Sequence, residues 1–263
     1  MSKTPDISAP LILAIDTATR AGSVALARGA DLLNLQAGDH ETSHSVDLIA
    51  NVEAALHAIV AKLSEVGLFA AASGPGSFTG LRIGIATIKS FAVSVGKKCV
   101  GVSTLAAIAH AAGTSVRTVA LLPAGRGEVF AQMFAVDGDR VRPLDTPVHL
   151  SPAAVVEKYG AIQSLSWAGE GAHLNANALC EHTKAMGIGW DDRDSQSPLR
   201  STGWMLAPRR EALAESIAVL AFAEYCAGRT TSPAELRAVY VRPSDAEINE
   251  QWQSDKLQVP APR

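Results

Sequence analysis

The chain has 263 residues, 48% hydrophobic and 19% charged, so it can bury a sizeable core and does not have the composition of a disordered protein. A formal net charge of −3 argues against strong nucleic-acid binding by this chain alone, because phosphate contacts need a clustered basic surface. Three widely spaced cysteines fit neither a disulfide framework nor a C-x-x-C metal site, and they favour a reducing compartment. The first apolar run, "LILAI", is too short for a signal-peptide core or a membrane span, so we expect a cytoplasmic protein without a membrane partner.

The sequence pattern over residues 1–104 predicts an N-terminal α/β domain. Short strands are expected at 11–16, 23–27 and 31–35, and their short links suit an antiparallel meander. A helix over about 43–63 carries an apolar stripe that includes Ile49, Val52 and Leu56, and we expect it to end at Gly67. A buried strand, "LFAAAS", follows.

A second helix, expected at about 79–95, is apolar or small nearly all round, with Arg82 and Lys89 as its only charges. Such a helix is usually buried on two sides, so the sheet covers one side and something else must cover the other. The strand "CVGVS" and the helix "LAAIAHAA" come next, and the whole order predicts a mixed sheet flanked by helices, an α/β layered fold.

A second, smaller α/β domain is predicted over 105–207. Its expected strands are "VALLPA", "EVFAQMFAV", "RVRPL" and "LSWAG", and Ser151 followed by Pro152 predicts a capped helix start. A helix is expected at about 174–186 and a loop at 189–207. Within residues 208–242 a long helix is predicted over 208–227, beginning at an arginine pair and ending at Gly228. A last strand, "AVYVR", is predicted after it. Residues 243–263 predict a polar tail.

The stretch "HETSH" at 40–44 matches the zinc-protease pattern H-E-x-x-H. That chemistry needs both histidines on an established helix. Here Thr42 and Ser43 are typical helix-capping residues, so His40 is expected to precede the helix. We therefore interpret the match as a helix entry, and the zinc protease is kept as a rival hypothesis.

Two Gly- or Thr-containing turns are candidates for holding phosphate. "GPGSFTG" has glycines that allow close backbone approach and leads into a helix N-terminus, and "DTATRAGS" places an aspartate at a strand end. A plain strand-to-helix turn explains the first stretch equally simply, and a capped turn is the simpler explanation of the second. The phosphate-loop candidates are Asp16, Thr17, Gly74, Gly76 and Gly80.

Glu128, beside Arg126, is a further candidate, because the arginine would orient an anionic ligand. A charge on an edge strand explains it as well.

Several stretches together resemble the TsaB (YeaZ) family. They are "ILAIDTATRAGSVAL", "HSVDLI", "GPGSFTGLRIGIA", "GVSTLAA", "RGEVF" and "YVR". The resemblance implies an actin/Hsp70-like (ribonuclease H-like) ATPase fold of two related domains. It also implies a role in forming N6-threonylcarbamoyladenosine at adenosine 37 of tRNAs that decode ANN codons.

In that family the chain looks like a non-catalytic partner of the homologous TsaD subunit, joined by the ATPase TsaE. Metal, ATP and transferase chemistry would lie in those partners, tRNA would be reached only through the complex, and this chain would need no cofactor. TsaD-type chains carry a metal-binding histidine pair where this chain has "GVSTL", at 101–105. The family's Asp before "RGE" is also missing here, which puts any contact made by that Asp in doubt.

The resemblance further implies that the helices at 44–63 and 79–95 pack against the equivalent pair in TsaD. Alternatively, a second copy of this chain would cover the same surface in a homodimer. The expected interface residues are His44, Asp47, Leu48, Asn51, Arg82, Ile85, Ile88, Lys89, Tyr240 and Arg242, with Ile88 facing outward. The second rival function is an independently active nucleotide-dependent kinase or acyltransferase that would use Asp16 and the Gly-rich loop.

Overall fold

The computed structural model describes residues 9–38, 44–191 and 203–241. Five strands form the first sheet: β1 (Leu11–Asp16), β2 (Ser23–Arg28), β3 (Asp31–Ala37), β4 (Val66–Gly74) and β5 (Lys98–Ser103). Their order is β3-β2-β1-β4-β5. The first three strands are antiparallel and the last two run parallel to β1 and to each other, which confirms the predicted meander and mixed sheet.

One face of this sheet is covered by α1 (His44–Ala58) and α2 (Phe78–Val95). The sheet contributes side chains such as Leu13 and Leu26, and α1 contributes Leu48 and Val52. The predicted apolar stripe of α1 is partly wrong, because Ile49 is 46% exposed.

The predicted end of the first helix is also wrong. It stops at Ala58, a short 3-10 turn occupies Leu63–Glu65, and Gly67 lies inside β4. By length and composition α2 would suit a membrane span, but its inner residues, including Leu81 and Ile88, belong to the core under the sheet.

The other face of the first sheet is covered by α3 (Thr104–Ala111) and α7 (Ala214–Cys226). These helices lie between the two sheets, since the same apolar cluster contains Leu122 and Phe134 of the second sheet. Because most residues of α7 are apolar, and Ala214 and residues 216–221 are buried, it can lie between two layers. The predicted helix over 208–227 is correct only from Ala214, and the arginine pair lies before it, outside any helix.

Seven strands form the second sheet: β6 (Ser115–Gly125), β7 (Glu128–Asp137), β8 (Arg140–Pro143), β9 (Val148–Leu150), β10 (Ser164–Ala168), β11 (Trp190–Asp191) and β12 (Gly203–Leu206). The order is β11-β12-β10-β6-β7-β8, and β9 pairs with β7. The predicted loop at 189–207 is therefore wrong at both ends, where parallel strands join the sheet; 192–202 lie outside the described residues.

The outer face of the second sheet is covered by α4 (Pro152–Tyr159), α5 (Glu170–Leu174) and α6 (Ala176–Met186). The predicted start of α4 is confirmed, because the Ser151 hydroxyl accepts a hydrogen bond from the Ala154 amide at 3.3 Å. The core here includes a pair of buried indoles, Trp167 and Trp204, with ring centroids 4.9 Å apart.

The predicted last strand is wrong over its described residues, 238–241, which form no strand. Instead the Val239 amide donates one hydrogen bond to the Ser73 carbonyl at 2.7 Å, at the end of β4. The predicted division of the chain at residue 104 stays a prediction, and the predicted tail lies outside the described residues.

Candidate functional site

The turn after β1 is closed by its own aspartate. Asp16 is fully buried, and its Oδ1 accepts hydrogen bonds from the Ala18 and Thr19 amides at 2.8 and 3.3 Å. Its Oδ2 accepts one from the Thr19 hydroxyl at 2.5 Å. This carboxylate therefore caps the turn after β1, which is a common role for an aspartate at a strand end.

The Gly-rich stretch packs against the same turn. The Thr17 hydroxyl donates a hydrogen bond to the Gly80 carbonyl at 2.7 Å, and the Ser77 amide donates one to the Ala18 carbonyl at 2.9 Å. A Cβ at Gly80 would overlap the Thr17 carbonyl oxygen, and a Cβ at Gly76 would lie 2.7 Å from the Ala18 Cβ. These two glycines are thus required for close packing of the loop against the chain's own backbone.

The fifth phosphate-loop candidate, Gly74, lies apart from that contact. Its φ is +118°, in a region that favours glycine, and a Cβ there would overlap the Val239 carbonyl oxygen. A role for these five residues in nucleotide binding stays a prediction, although internal packing accounts for each of the three glycines.

The predicted interface residues divide into two groups. Leu48, Ile85 and Ile88 are buried against the sheet, with Ile88 fully inaccessible. The prediction that Ile88 faces outward is wrong, because α2 turns this side chain toward the first sheet.

The second group has exposed or half-buried side chains. Its members are Asp47, Asn51, Arg82, Lys89 and Tyr240. The side chain of His44 lies outside the described part of the structure, as do Arg242 and His40 with most of the "HETSH" stretch.

The exposed face of α1 and α2 is largely apolar or small. On α1 it presents Ile49, 46% exposed, together with Ala50 and Ala54. On α2 it presents Ala86 and Val93, and Val93 is 67% exposed. We call these residues the outer helix face.

An aromatic cluster stands at the N-terminal end of α2. The rings of Phe78 and Tyr240 are 5.2 Å apart, and the Arg82 guanidinium lies 3.8 Å above the Phe78 ring. Both rings are more than one third exposed. Exposed aromatic and arginine side chains are enriched where protein surfaces bind each other.

The second sheet brings together two residues that are distant in sequence. His149 Nε2 lies 3.0 Å from Glu128 Oε2, because β9 pairs beside the start of β7. The ring of His149 also leans on Phe130, with centroids 5.4 Å apart. Glu128 thus has a histidine partner that no local motif predicts.

A serine, a histidine and an aspartate also meet between helices. His110 Nδ1 lies 2.9 Å from the Ser216 hydroxyl oxygen, and its Nε2 lies 3.8 Å from Asp139 Oδ1. Ser216 is buried, so its hydroxyl cannot reach a substrate. Burial lowers the pKa of His110, against the opposing effects of Asp139 and Glu215.

No group of three or more His, Cys, Asp or Glu side chains is arranged to hold a metal ion within residues 9–38, 44–191 and 203–241. In the stretch at 101–105, Ser103 has a structural role. Its hydroxyl accepts a hydrogen bond from the Ala106 amide at 3.3 Å and so caps α3.

An open cleft lies between the two sheets. Thr19 and Arg20 line it from the turn after β1, Glu170 from α5, and Arg209 and Arg210 from the segment before α7. This cleft could not be predicted from the sequence, because the arginine pair was expected to open a helix and in fact lies before α7.

Comparison with known proteins gives a consistent result. Residues 39–191 match the family model described as "TsaD: tRNA N6-adenosine threonylcarbamoyltransferase". The chain is 31% identical over 238 residues to the tRNA threonylcarbamoyladenosine biosynthesis protein TsaB of Escherichia coli, covering 88% of this chain and 94% of that protein. The structure of YeaZ from Pseudomonas aeruginosa superposes with a TM-score of 0.68 at 25% identity, covering 88% of this chain and 99% of that one.

Proposed function

Because the chain is a member of the TsaB (YeaZ) family, which takes part in tRNA threonylcarbamoyladenosine biosynthesis, we propose that it is the non-catalytic subunit that binds and activates a TsaD-type transferase. ATP and metal would act in the TsaD-type subunit and a TsaE-type ATPase. The tRNA would be bound through the cytoplasmic complex.

The observation that carries this proposal is the outer helix face. Ile49 and Val93 expose apolar side chains, and the alanines beside them would let a second pair of helices approach closely. Large apolar side chains exposed together on a surface are typical of a protein-binding site. The cluster of Phe78, Arg82 and Tyr240 lies at one end of α2 and adds exposed aromatic side chains to this surface.

The geometry around Asp16 supports a role without chemistry. Its carboxylate accepts three hydrogen bonds from the turn that it closes, so it is already engaged inside the chain. The rival kinase or acyltransferase would need this carboxylate at a reacting phosphate.

The experiment is isothermal titration of the TsaD-type subunit from the same organism with this chain. Ala86→Glu places a charge on the outer helix face, at an exposed position of α2. We expect it to weaken binding by at least about tenfold, because an unpaired charge must lose its water on association.

The matched control is Ala153→Glu, the same substitution at an exposed alanine of α4. It should bind the partner like the unmodified chain. Equal affinities for the Ala86→Glu and Ala153→Glu variants would show that the outer helix face is not the contact.

A further inference from the structure

Three arginines lie on one exposed part of the second sheet. Arg117 of β6 precedes Val119 by two positions, and Val119 belongs to the core on the outer face, so Arg117 lies on that face too. On β8, Val141 packs against the apolar cluster between the sheets, so its neighbours Arg140 and Arg142 lie on the outer face. All three arginines are exposed. We call them the arginine strip.

The strand register keeps the arginine strip together. Arg142 pairs with Ala135 of β7, and a register shift in β6 places Val116 and Arg117 opposite the same alanine. Neighbouring strands are about 4.8 Å apart, so the backbones at Arg117 and Arg142 are about 10 Å apart across β7. Arg140 and Arg142 are two positions apart, about 7 Å along β8. One extended anion can therefore contact all three guanidinium groups.

The positive charge of the arginine strip is not neutralised within the chain. Its side chains make no ion pair or hydrogen bond with residues 9–38, 44–191 or 203–241. Asp137 is the acidic residue on the same face of β6, β7 and β8, and the register places it opposite Arg140 without an ion pair between them. Three positive charges thus face one negative charge, in a chain whose formal net charge is −3.

We propose that the arginine strip binds the phosphate backbone of the tRNA in the complex, an inference that rests on the function proposed above. A guanidinium group donates two parallel hydrogen bonds to a phosphate, which makes arginine well suited to this contact. Such contacts position a nucleic acid without reading its sequence. A protein partner fits less well, because protein interfaces have an apolar centre and Val116 is the one large apolar side chain exposed on β6, β7 and β8.

The place of the arginine strip in the fold leaves the outer helix face free. The two sheets and the layer of α3 and α7 separate the two surfaces. A TsaD-type subunit and the tRNA can therefore contact this chain at the same time. Because three phosphate contacts give only weak binding, the arginine strip would add to the affinity of the complex rather than bind tRNA alone.

The experiment measures the affinity of an unmodified tRNA that decodes an ANN codon for the complex of this chain with the TsaD-type and TsaE-type subunits. We expect the double variant Arg140→Gln, Arg142→Gln to weaken binding by at least about tenfold. The slope of log affinity against log salt should fall by about two, because each arginine releases about one counterion from the tRNA. The matched control, Lys97→Gln with Lys98→Gln, removes two exposed positive charges near the first sheet and should change neither quantity.

Three results would overturn the proposal. The first is an unchanged affinity and salt slope in the arginine double variant. The second is an equal loss in the lysine control, which would make net charge the cause. The third is weaker binding of the TsaD-type or TsaE-type subunit by the arginine double variant, which would assign the arginine strip to a protein contact.

Binding of the TsaD-type subunit, followed by calorimetry without tRNA, keeps this proposal separate from the proposed function. Both double variants should bind that subunit like the unmodified chain. Failure of the unmodified chain to bind it would contradict the proposed function, whereas the tRNA affinities of the two double variants decide on the arginine strip.

Discussion

At the scale of single residues, one threonine joins two sequence motifs. Thr17 follows β1, donates a hydrogen bond to the Gly80 carbonyl, and lies so close to α2 that a Cβ at Gly84 would overlap its hydroxyl oxygen. The glycines of the second motif therefore have a packing role that depends on the first motif. Neither stretch alone reveals this dependence.

We predict that Gly84→Ala destabilises the chain by about 1–3 kcal/mol, because the added methyl group meets the Thr17 hydroxyl in a packed site. In the Thr17→Ala background that oxygen is gone, and the cost of Gly84→Ala should fall by at least about 1 kcal/mol. Urea unfolding of the four proteins gives this coupling. Additive costs would mean that the two residues do not meet.

At the scale of elements, α3 and α7 are joined by the contact between His110 and Ser216. Because burial lowers the pKa of His110 in the folded chain, the unfolded chain takes up a proton first as the pH falls. The burial of neutral His110 therefore costs no protonation free energy above the ordinary histidine pKa of about 6.5, and the folded chain loses stability as the pH falls from there toward the lowered pKa.

We predict that the unmodified chain loses more unfolding free energy between pH 7.5 and 5.5 than the His110→Gln variant does. His57→Gln, at an exposed histidine of α1, is the control and should lose as much as the unmodified chain. Urea unfolding at both pH values makes the comparison. If His110→Gln were as pH-sensitive as the control, the burial of His110 would not cause the pH dependence.

Elements with strong local signals could be predicted from the sequence. The meander β1–β3, most of α2 and the Ser151 cap follow from alternation, apolar content and capping chemistry. Elements that depend on a distant partner could not be predicted. The two-residue strand β11 forms because β12 lies beside it. The stretch "AVYVR" has strand-forming residues, but over its described residues, 238–241, one backbone hydrogen bond, from Val239, joins it to β4.

The candidate site shows the same division. The sequence indicated the two helices that carry the outer helix face. The spacing of apolar residues along α1 fits more than one buried stripe, so it could not show which side faces the sheet. Packing on the sheet buries Leu48 and leaves Ile49 exposed. The pair of Glu128 and His149 and the arginines of the cleft come together through tertiary contacts alone.

At the scale of the whole molecule, the layers explain why the outer helix face stays exposed. Two sheets share the helical layer of α3 and α7, and α4, α5 and α6 cover the far side of the second sheet. The first sheet is covered by α1 and α2, whose outer helix face keeps exposed apolar residues. A chain built in this way can act by holding another subunit.

The measurement that tests this account most directly is threonylcarbamoylation of tRNA by the TsaD-type and TsaE-type subunits of the same organism. Modification should require this chain in equal amount to the TsaD-type subunit. The Ala86→Glu variant should lower the rate, and higher concentrations of that variant should restore it, because only binding is weakened. Modification at an undiminished rate without this chain, or by this chain alone, would contradict the account.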